Sequence, residues 1–245
     1  MANEWVIGRQ AVREALKAER KTEKLLLAEG SGKGPLGDLL STAKKAGIPV
    51  QEVPRKKLDQ VAEGENHQGV AALVAAHDYA SVNDLFRRAE AKGEPPFFLL
   101  LDGIEDPHNL GSILRTADAS GVHGVIIPKR RAVGLTSIVA KTSAGAIEHV
   151  PVARVTNLNR TAEELKGQGI WLVGSDASSP DRYDAVDYAV PLALIIGNEG
   201  KGISRRLRER CDFLVKLPMK GKVSSLNASV AAALFMYEVL RKREG

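Results

Sequence analysis

With 245 residues, 44% of them hydrophobic, the chain can bury a full core, as one large domain or two smaller ones, without disulfide or metal staples. The 35 Lys and Arg against 30 Asp and Glu leave a net charge of +5, a weak bias toward a polyanionic partner. Cys211 is the single cysteine, which excludes an internal disulfide, and its setting in Glu-Arg-Cys-Asp-Phe-Leu reads as a small buried residue. The histidines show no His-x-x-x-His pair, so no metal is expected; the N-terminus has no basic-then-apolar leader and no apolar run reaches a span of about 18 residues, so a cytoplasmic protein away from the membrane is expected.

Residues 1–77 read as a small α/β unit. A helix carrying Val12, Ala15 and Leu16 follows Val6-Ile7-Gly8. Strand Lys24–Ala28, helix Pro35–Lys45, strand Ile48–Val53, helix Pro54–Ala62 and strand Gly69–Ala76 come next. Residues 78–96 read as a linker with one helix, capped by Ser81, striped by Val82, Leu85, Phe86 and Ala89, and ended at Gly93-Glu-Pro-Pro96. Over residues 97–245, apolar runs at Phe97–Leu101, Val125–Ile127, Trp171–Gly174, Leu192–Ile196 and Phe213–Leu217 alternate with helices near Leu110–Ser120, Asn157–Lys166, Ser204–Arg210 and Ser225–Arg241. Unbroken apolar strands separated by helices imply an α/β fold with a mostly parallel sheet covered on both faces.

Three polar motifs each open a helix just after such a run: Asn109-Leu-Gly-Ser-Ile-Leu-Arg115, Gly197-Asn-Glu-Gly-Lys-Gly202 and Ser224-Ser-Leu-Asn227-Ala-Ser229. Open α/β sheets place ligand chemistry at strand-to-helix turns, where N–H groups and side chains converge, so the three suggest one composite site. In the first, Leu110, Ile113, Leu114 and Ala117 take core spacing and Asn109 suits an N-cap. Arg115 lies off that face: it is either a ligand residue above the small Gly111, Ser112 and Ala119 or half of a surface ion contact with Asp118. In the second, glycines at 197 and 200 free the backbone and hold Glu199 at a strand end; the alternative is a turn that only caps the helix near Ser204. In the third, Ser224 or Ser225 can cap the last helix, with Asn227 in its first turn. Gly30-Ser-Gly-Lys33-Gly lacks the Walker spacing and Gly197–Gly202 lacks G-x-G-x-x-G, so neither is a nucleotide loop. Basic residues, among them Lys129, Arg130 and Arg131, border the same sheet edge and favour a groove that tracks phosphates.

Together these residues resemble the SpoU/TrmH family of RNA ribose methyltransferases, of the SPOUT class, across residues 97–245. Asn109 with Arg115-Thr116 is similar to the family's first motif, Ile196-Gly-Asn-Glu-Gly200 to its second, and Leu217-Pro-Met219 through Ser225-Leu-Asn227 to its third. Lys141-Thr-Ser-Ala-Gly-Ala146 resembles a further segment. Gly8-Arg9-Gln-Ala-Val12 and His67-Gln-Gly-Val70 resemble the N-terminal RNA-binding domain of the subgroup that methylates a guanosine 2′-hydroxyl in bacterial large-subunit (23S) rRNA.

The resemblance implies a C-terminal SPOUT domain tied in a trefoil knot, preceded by a ribosomal-protein-like α/β/α RNA-binding domain. It implies S-adenosylmethionine (SAM) as cofactor, held largely by main-chain groups at Gly197, Leu217 and Leu226, with Ile196, Thr142, Met219 and Ser225 nearby. Arg115, Asn109, Glu199 and Asn227 would be catalytic, and Lys129, Arg130, Arg131 and Arg9 would bind RNA. A homodimer with no metal is expected, acting on 23S rRNA. A guanidinium, with a pKa above about 12, is a poor proton acceptor, so Arg115 is expected to polarise the 2′-hydroxyl and clamp the neighbouring phosphate while phosphate or water takes the proton. Two other readings stay open: a tRNA guanosine as target, and a non-catalytic RNA-binding assembly factor that retains the fold.

Overall fold

The computed structural model describes residues 3–17, 20–30, 36–64, 66–75, 77–222 and 225–245. The loop glycines and Lys33 of the rejected phosphate-loop reading lie largely outside these residues, as does Ser224. In chain order the elements are β1 (Asn3–Ile7), α1 (Arg9–Lys17), β2 (Thr22–Ala28), α2 (Gly37–Lys45), β3 (Val50–Val53), α3 (Arg55–Ala62), β4 (Val70–Ala75), α4 (Val82–Lys92), β5 (Phe97–Asp102), α5 (Pro107–Ala119), β6 (Gly124–Pro128), α6 (Ser137–Thr142), β7 (Val152–Val155), α7 (Leu158–Gly167), β8 (Trp171–Ser175), β9 (Leu192–Gly197), α8 (Arg205–Arg208), β10 (Phe213–Val215) and α9 (Ala228–Glu244). Contacts gather them into two units: Met1–Asp78 with Leu135–His149, and Tyr79–Gly134 with Val150–Gly245. The Leu135–His149 stretch, which the sequence reading left in the second domain, thus packs with the first unit.

The first unit holds a four-stranded sheet in the order β1-β4-β2-β3, with β4 antiparallel to both neighbours and β2 parallel to β3. Alternation along the strands feeds two cores. Leu25 and Leu27 with Val70, Ala72 and Val74 join Val12, Leu16 and Leu39 on one face, while Leu26, Ala28 and Ala71 join Leu58 and Ala62 on the other. The result is an α/β/α sandwich. Within it the Gly8-Arg9 and His67-Gln-Gly segments meet, since the Arg9 main-chain N–H donates to Gln68 Oε1 at 3.1 Å.

The second unit is built on a six-stranded, all-parallel sheet in the order β10-β8-β9-β5-β6-β7. The apolar runs of β5 and β9 are buried along almost their whole length, as central strands of a sheet covered on both faces must be. The helix of the sequence-predicted linker, α4, is part of this core: Leu85 is fully buried beside Phe98, and the Phe86 and Phe98 rings meet edge to face at 5.0 Å. From β5 the chain runs outward through β6 and β7, then returns on the other side through β8, β9 and β10. The direction therefore switches between β5 and β9, and parallel strands put all their C-terminal ends at one edge. That crevice is where an open α/β sheet binds ligands.

Candidate active site

The switch point is closed by polar contacts between strand ends. Asp102, at the end of β5, accepts the Ser204 main-chain N–H at 2.8 Å. After β9 the chain folds back on itself: the Asn198 and Gly202 main chains exchange hydrogen bonds of 3.1 and 2.8 Å. The Asn198 side chain braces the turn, donating to Gly103 O at 3.0 Å and accepting from Gly200 N at 3.0 Å. Gly197 is required by close approach, because a Cβ there would run into the main chain of Gly202 and Ile203.

Glu199 projects from this turn and gathers two distant segments. Its Oε1 accepts from Asn109 Nδ2 at 2.9 Å, from Asn227 Nδ2 at 2.5 Å and from the Ala228 main-chain N–H at 3.1 Å. Asn227 Nδ2 also donates to Asn109 Oδ1 at 2.9 Å. Asn227 Oδ1 meanwhile caps α9, accepting from Ser229 N at 3.0 Å and Val230 N at 3.3 Å. Asn227 is therefore the N-cap itself, one residue before the helix, and not a first-turn residue behind a capping Ser225. A similar correction applies to α5: Asp106 caps it, accepting the His108 N–H at 2.8 Å with Pro107 in the first turn, which leaves Asn109 inside the helix with its amide free for Glu199.

Arg115 stands apart. It lies six residues beyond Asn109, about 9 Å along the axis and about 120° around it. It is exposed and forms neither the sequence-weighed ion contact with Asp118 nor any other side-chain bond among the described residues.

A cavity of about 560 Å³ opens beside the Glu199 turn. Of the residues expected around the cofactor, Ile196, Gly197, Leu217, Met219, Ser225 and Leu226 line it. Thr142 does not; it ends α6, which packs with the first unit. Part of the lining is polar: Asp176 and Arg208 form an ion pair there, and Ser178 hydrogen-bonds both. The sequence reading missed Asp176 because it stopped at the apolar Gly174; the strand-end rule that picked the other motifs would have found it two residues later. The size lies within the roughly 300–1,000 Å³ of small-molecule sites. Apolar strand ends, a glycine with no room for a side chain and a polar stretch of lining suit a nucleoside-bearing cofactor such as SAM.

Lys129 and Arg130 follow β6 and are exposed; Lys129 N–H donates to Val155 O at 2.8 Å. Arg9 opens α1 in the first unit. Cys211 is partly buried against the second unit's core, and burial, then the neighbouring Asp212, pushes its thiol up to about 12, which rules out a thiolate nucleophile at neutral pH. Among the described residues, no group of three or more His, Cys, Asp or Glu side chains could hold a metal ion, and no helix is long and apolar enough to cross a membrane.

Residues 96–237 match the SpoU rRNA methylase family, and residues 5–80 match the RNA 2′-O ribose methyltransferase substrate-binding domain. YacO of Bacillus subtilis (strain 168), assigned to the TrmH family of tRNA/rRNA methyltransferases, is 62% identical over 241 residues, which are 98% of this chain and 96% of that protein. A protein of Staphylococcus aureus (strain MSSA476) with the same assignment is 52% identical over 243 residues, 99% of this chain and 98% of its own. Among solved structures, the SpoU methyltransferase AviRb of Streptomyces viridochromogenes in complex with AdoMet is 27% identical, with a TM-score of 0.85 over 99% of this chain and 91% of that one.

Proposed function

The chain belongs to the SpoU rRNA methylase family of SAM-dependent RNA 2′-O-ribose methyltransferases, and from that premise we propose that it methylates a guanosine ribose of 23S rRNA in the cytoplasm. One observation carries the reading: the carboxylate of Glu199 ties Asn109 and Asn227 together at the mouth of the cavity that the expected cofactor residues line. The first unit, matched to a substrate-binding domain, supports a large structured RNA as substrate, with Arg9 and the Lys129–Arg131 turn as phosphate contacts.

SAM, when bound, supplies an electrophilic methyl group on a sulfonium. The chain's part is positioning, which by itself can remove a large share of a bimolecular barrier. Gly197, Leu217 and Leu226 would hold the cofactor through main-chain groups, with Ile196, Met219 and Ser225 around it. Asn109 and Asn227, fixed by Glu199, orient the site. Arg115 polarises the 2′-hydroxyl and clamps the adjacent phosphate, and the proton leaves to phosphate or water, because the guanidinium keeps its own.

Arg115 reaches such a site most directly from a second copy. Along α9, Val230, Leu234 and Tyr237 recur at helical spacing and are about half exposed (47%, 46% and 51%), and with Ser112 and Thr116 of α5 they line one shallow apolar groove. A homodimer closed over this groove covers the stripe and carries Arg115, on the outer side of α5, to the neighbouring subunit's cluster.

Mapping 2′-O-methyl groups on rRNA and tRNA from cells with and without the gene tests the proposal. A lost mark on 23S rRNA supports it, whereas a lost mark confined to tRNA transfers the activity to that substrate. Arg115→Ala should keep SAM affinity in calorimetry and lose methyl transfer. Failure of the parent protein to bind SAM would favour an RNA-binding assembly factor.

A further inference from the structure

Resting on the methyltransferase reading, we propose that a second cleft beside the Glu199 turn seats one nucleotide of single-stranded RNA next to the one methylated. Its phosphate lies on Arg130 and Arg131, and its base lies against the first turn of α7. The cleft has a volume of about 730 Å³, ample for a nucleotide. It opens over the ends of β5 and β6, and the residues Asn198, Lys201 and Gly202 line both it and the cofactor cavity. An RNA strand crossing that turn has a seat on either side of it.

The lining offers both cations and amides, as the phosphate and base of a nucleotide require. Arg130, Arg131 and Lys201 bring three cations, none of which has a side-chain partner among the described residues. Guanidinium groups match phosphate oxygens with paired hydrogen bonds. Arg131 is moreover held at a φ of 58°, the left-handed region that a bulky side chain seldom adopts and that clusters at ligand sites. Of the carboxylates on the wall, Asp102 is engaged by Ser204 N–H, and Glu105 is exposed.

Thr156, Asn157, Leu158 and Asn159, around the start of α7, complete the lining, and two of them are amides. Asn157 Oδ1 accepts the main-chain N–H groups of Asn159 and Arg160 at 3.0 and 3.2 Å, so the helix start is already capped and draws no anion. Asn159 Oδ1 is the one buried side-chain polar atom with no partner among the described residues. The terminal amide turns about a soft torsion, which exchanges its oxygen and its NH2 between wall and cleft. An amide offers an acceptor and donors together, the complement of the Watson–Crick edge by which splayed RNA bases are read. The cleft therefore supplies sequence context, which the Glu199 cluster, facing ribose and methyl donor, cannot.

The test uses the full chain, saturated with SAM, and a short labelled RNA of random sequence. By anisotropy, replacing both arginines (Arg130→Ala with Arg131→Ala) should weaken binding about tenfold and flatten the salt dependence by about 0.7 per lost phosphate contact. Arg205→Ala, on an exposed arginine paired with Glu209, should change neither. Sequencing the retained RNA should show a base preference at one position for the parent and none for Asn159→Ala, while SAM affinity stays at the parental value in every variant. Undiminished binding by the double variant, or an unchanged base preference in Asn159→Ala, would overturn the assignment. If instead the parent binds this RNA as described but takes up no SAM, the methyltransferase reading fails and the cleft stands.

Discussion

Glu199 does with one oxygen what local sequence cannot: it joins side chains 90 and 28 residues away, Asn109 and Asn227, together with the Ala228 main chain. Glu199→Ala leaves the buried Asn109 amide and the Ala228 N–H without an acceptor, at about 1–3 kcal/mol for an unpaired buried group. Denaturant unfolding of the second unit should register that loss together with a collapse of methyl transfer. Glu199→Gln, which keeps an acceptor in place, should unfold close to the parent. Equal stability of the alanine variant and the parent would mean that the cluster is not held by the carboxylate. Gly197 is the other sensitive residue: the methyl of Gly197→Ala has only the Gly202 and Ile203 main chain to occupy, so the turn must open. SAM affinity should fall at least about tenfold, equivalent to 1.4 kcal/mol; calorimetry showing the parental affinity would place the cofactor elsewhere.

Helices and strands repeat the lesson that patterns locate elements better than they locate ends. The last helix is expected from Ser225 and begins at Ala228, and α5 is expected to be capped by Asn109 and is capped by Asp106. Asn, Asp and Ser are nearly equal as caps, so spacing alone cannot choose among them; the choice is made by Glu199 across the sheet edge for α9 and by Pro107 for α5. The strand β7 escapes the sequence reading because Arg154 interrupts its four residues at the sheet edge, and α6 because six residues are too few to show a period. Only the fold shows which side of α9 stays uncovered, the side striped by Val230, Leu234 and Tyr237. Leu234→Glu on that stripe should split the proposed homodimer in sedimentation and depress methyl transfer, with SAM affinity unchanged, because Arg115 would no longer meet a neighbouring cluster. A variant that remains dimeric would exclude this face as the interface.

For the molecule as a whole, alternation of apolar runs and helices is enough to announce a parallel sheet, since buried central strands have no polar face to show. The strand order, and the packing of Leu135–His149 with the first unit, depend on contacts between residues far apart and leave no local trace; a knot is rarer still, and only resemblance suggests one. The same long-range packing sets the acid response, because each unit buries a histidine. In the first, Arg20 Nη1 donates to His77 Nε2 at 2.8 Å beside Glu148, and burial, then the Arg20 charge, lowers His77 from 6.5 to about 3. In the second, the Phe97 N–H donates to His123 Nδ1 at 3.0 Å, which leaves the ring proton on Nε2 facing Glu94; burial lowers its pKa too. Both shifts have one sign. The unfolded chain takes up these protons near the ordinary value and the folded chain resists, so this contribution to stability is complete above about pH 6.5 and drains away as the pH falls, for His77 toward about 3. At about pH 5 His77 alone should remove about 2 kcal/mol from the first unit, at 1.36 kcal/mol per pH unit. The two tryptophans separate the readouts, Trp5 lying in the first unit and Trp171 in the second. In a Trp171→Phe background, Trp5 fluorescence should report a urea midpoint that drops between about pH 7 and about pH 5, and adding His77→Gln should flatten that drop. A midpoint equally pH-dependent with and without the imidazole would show that the acid sensitivity of the first unit lies in its carboxylates.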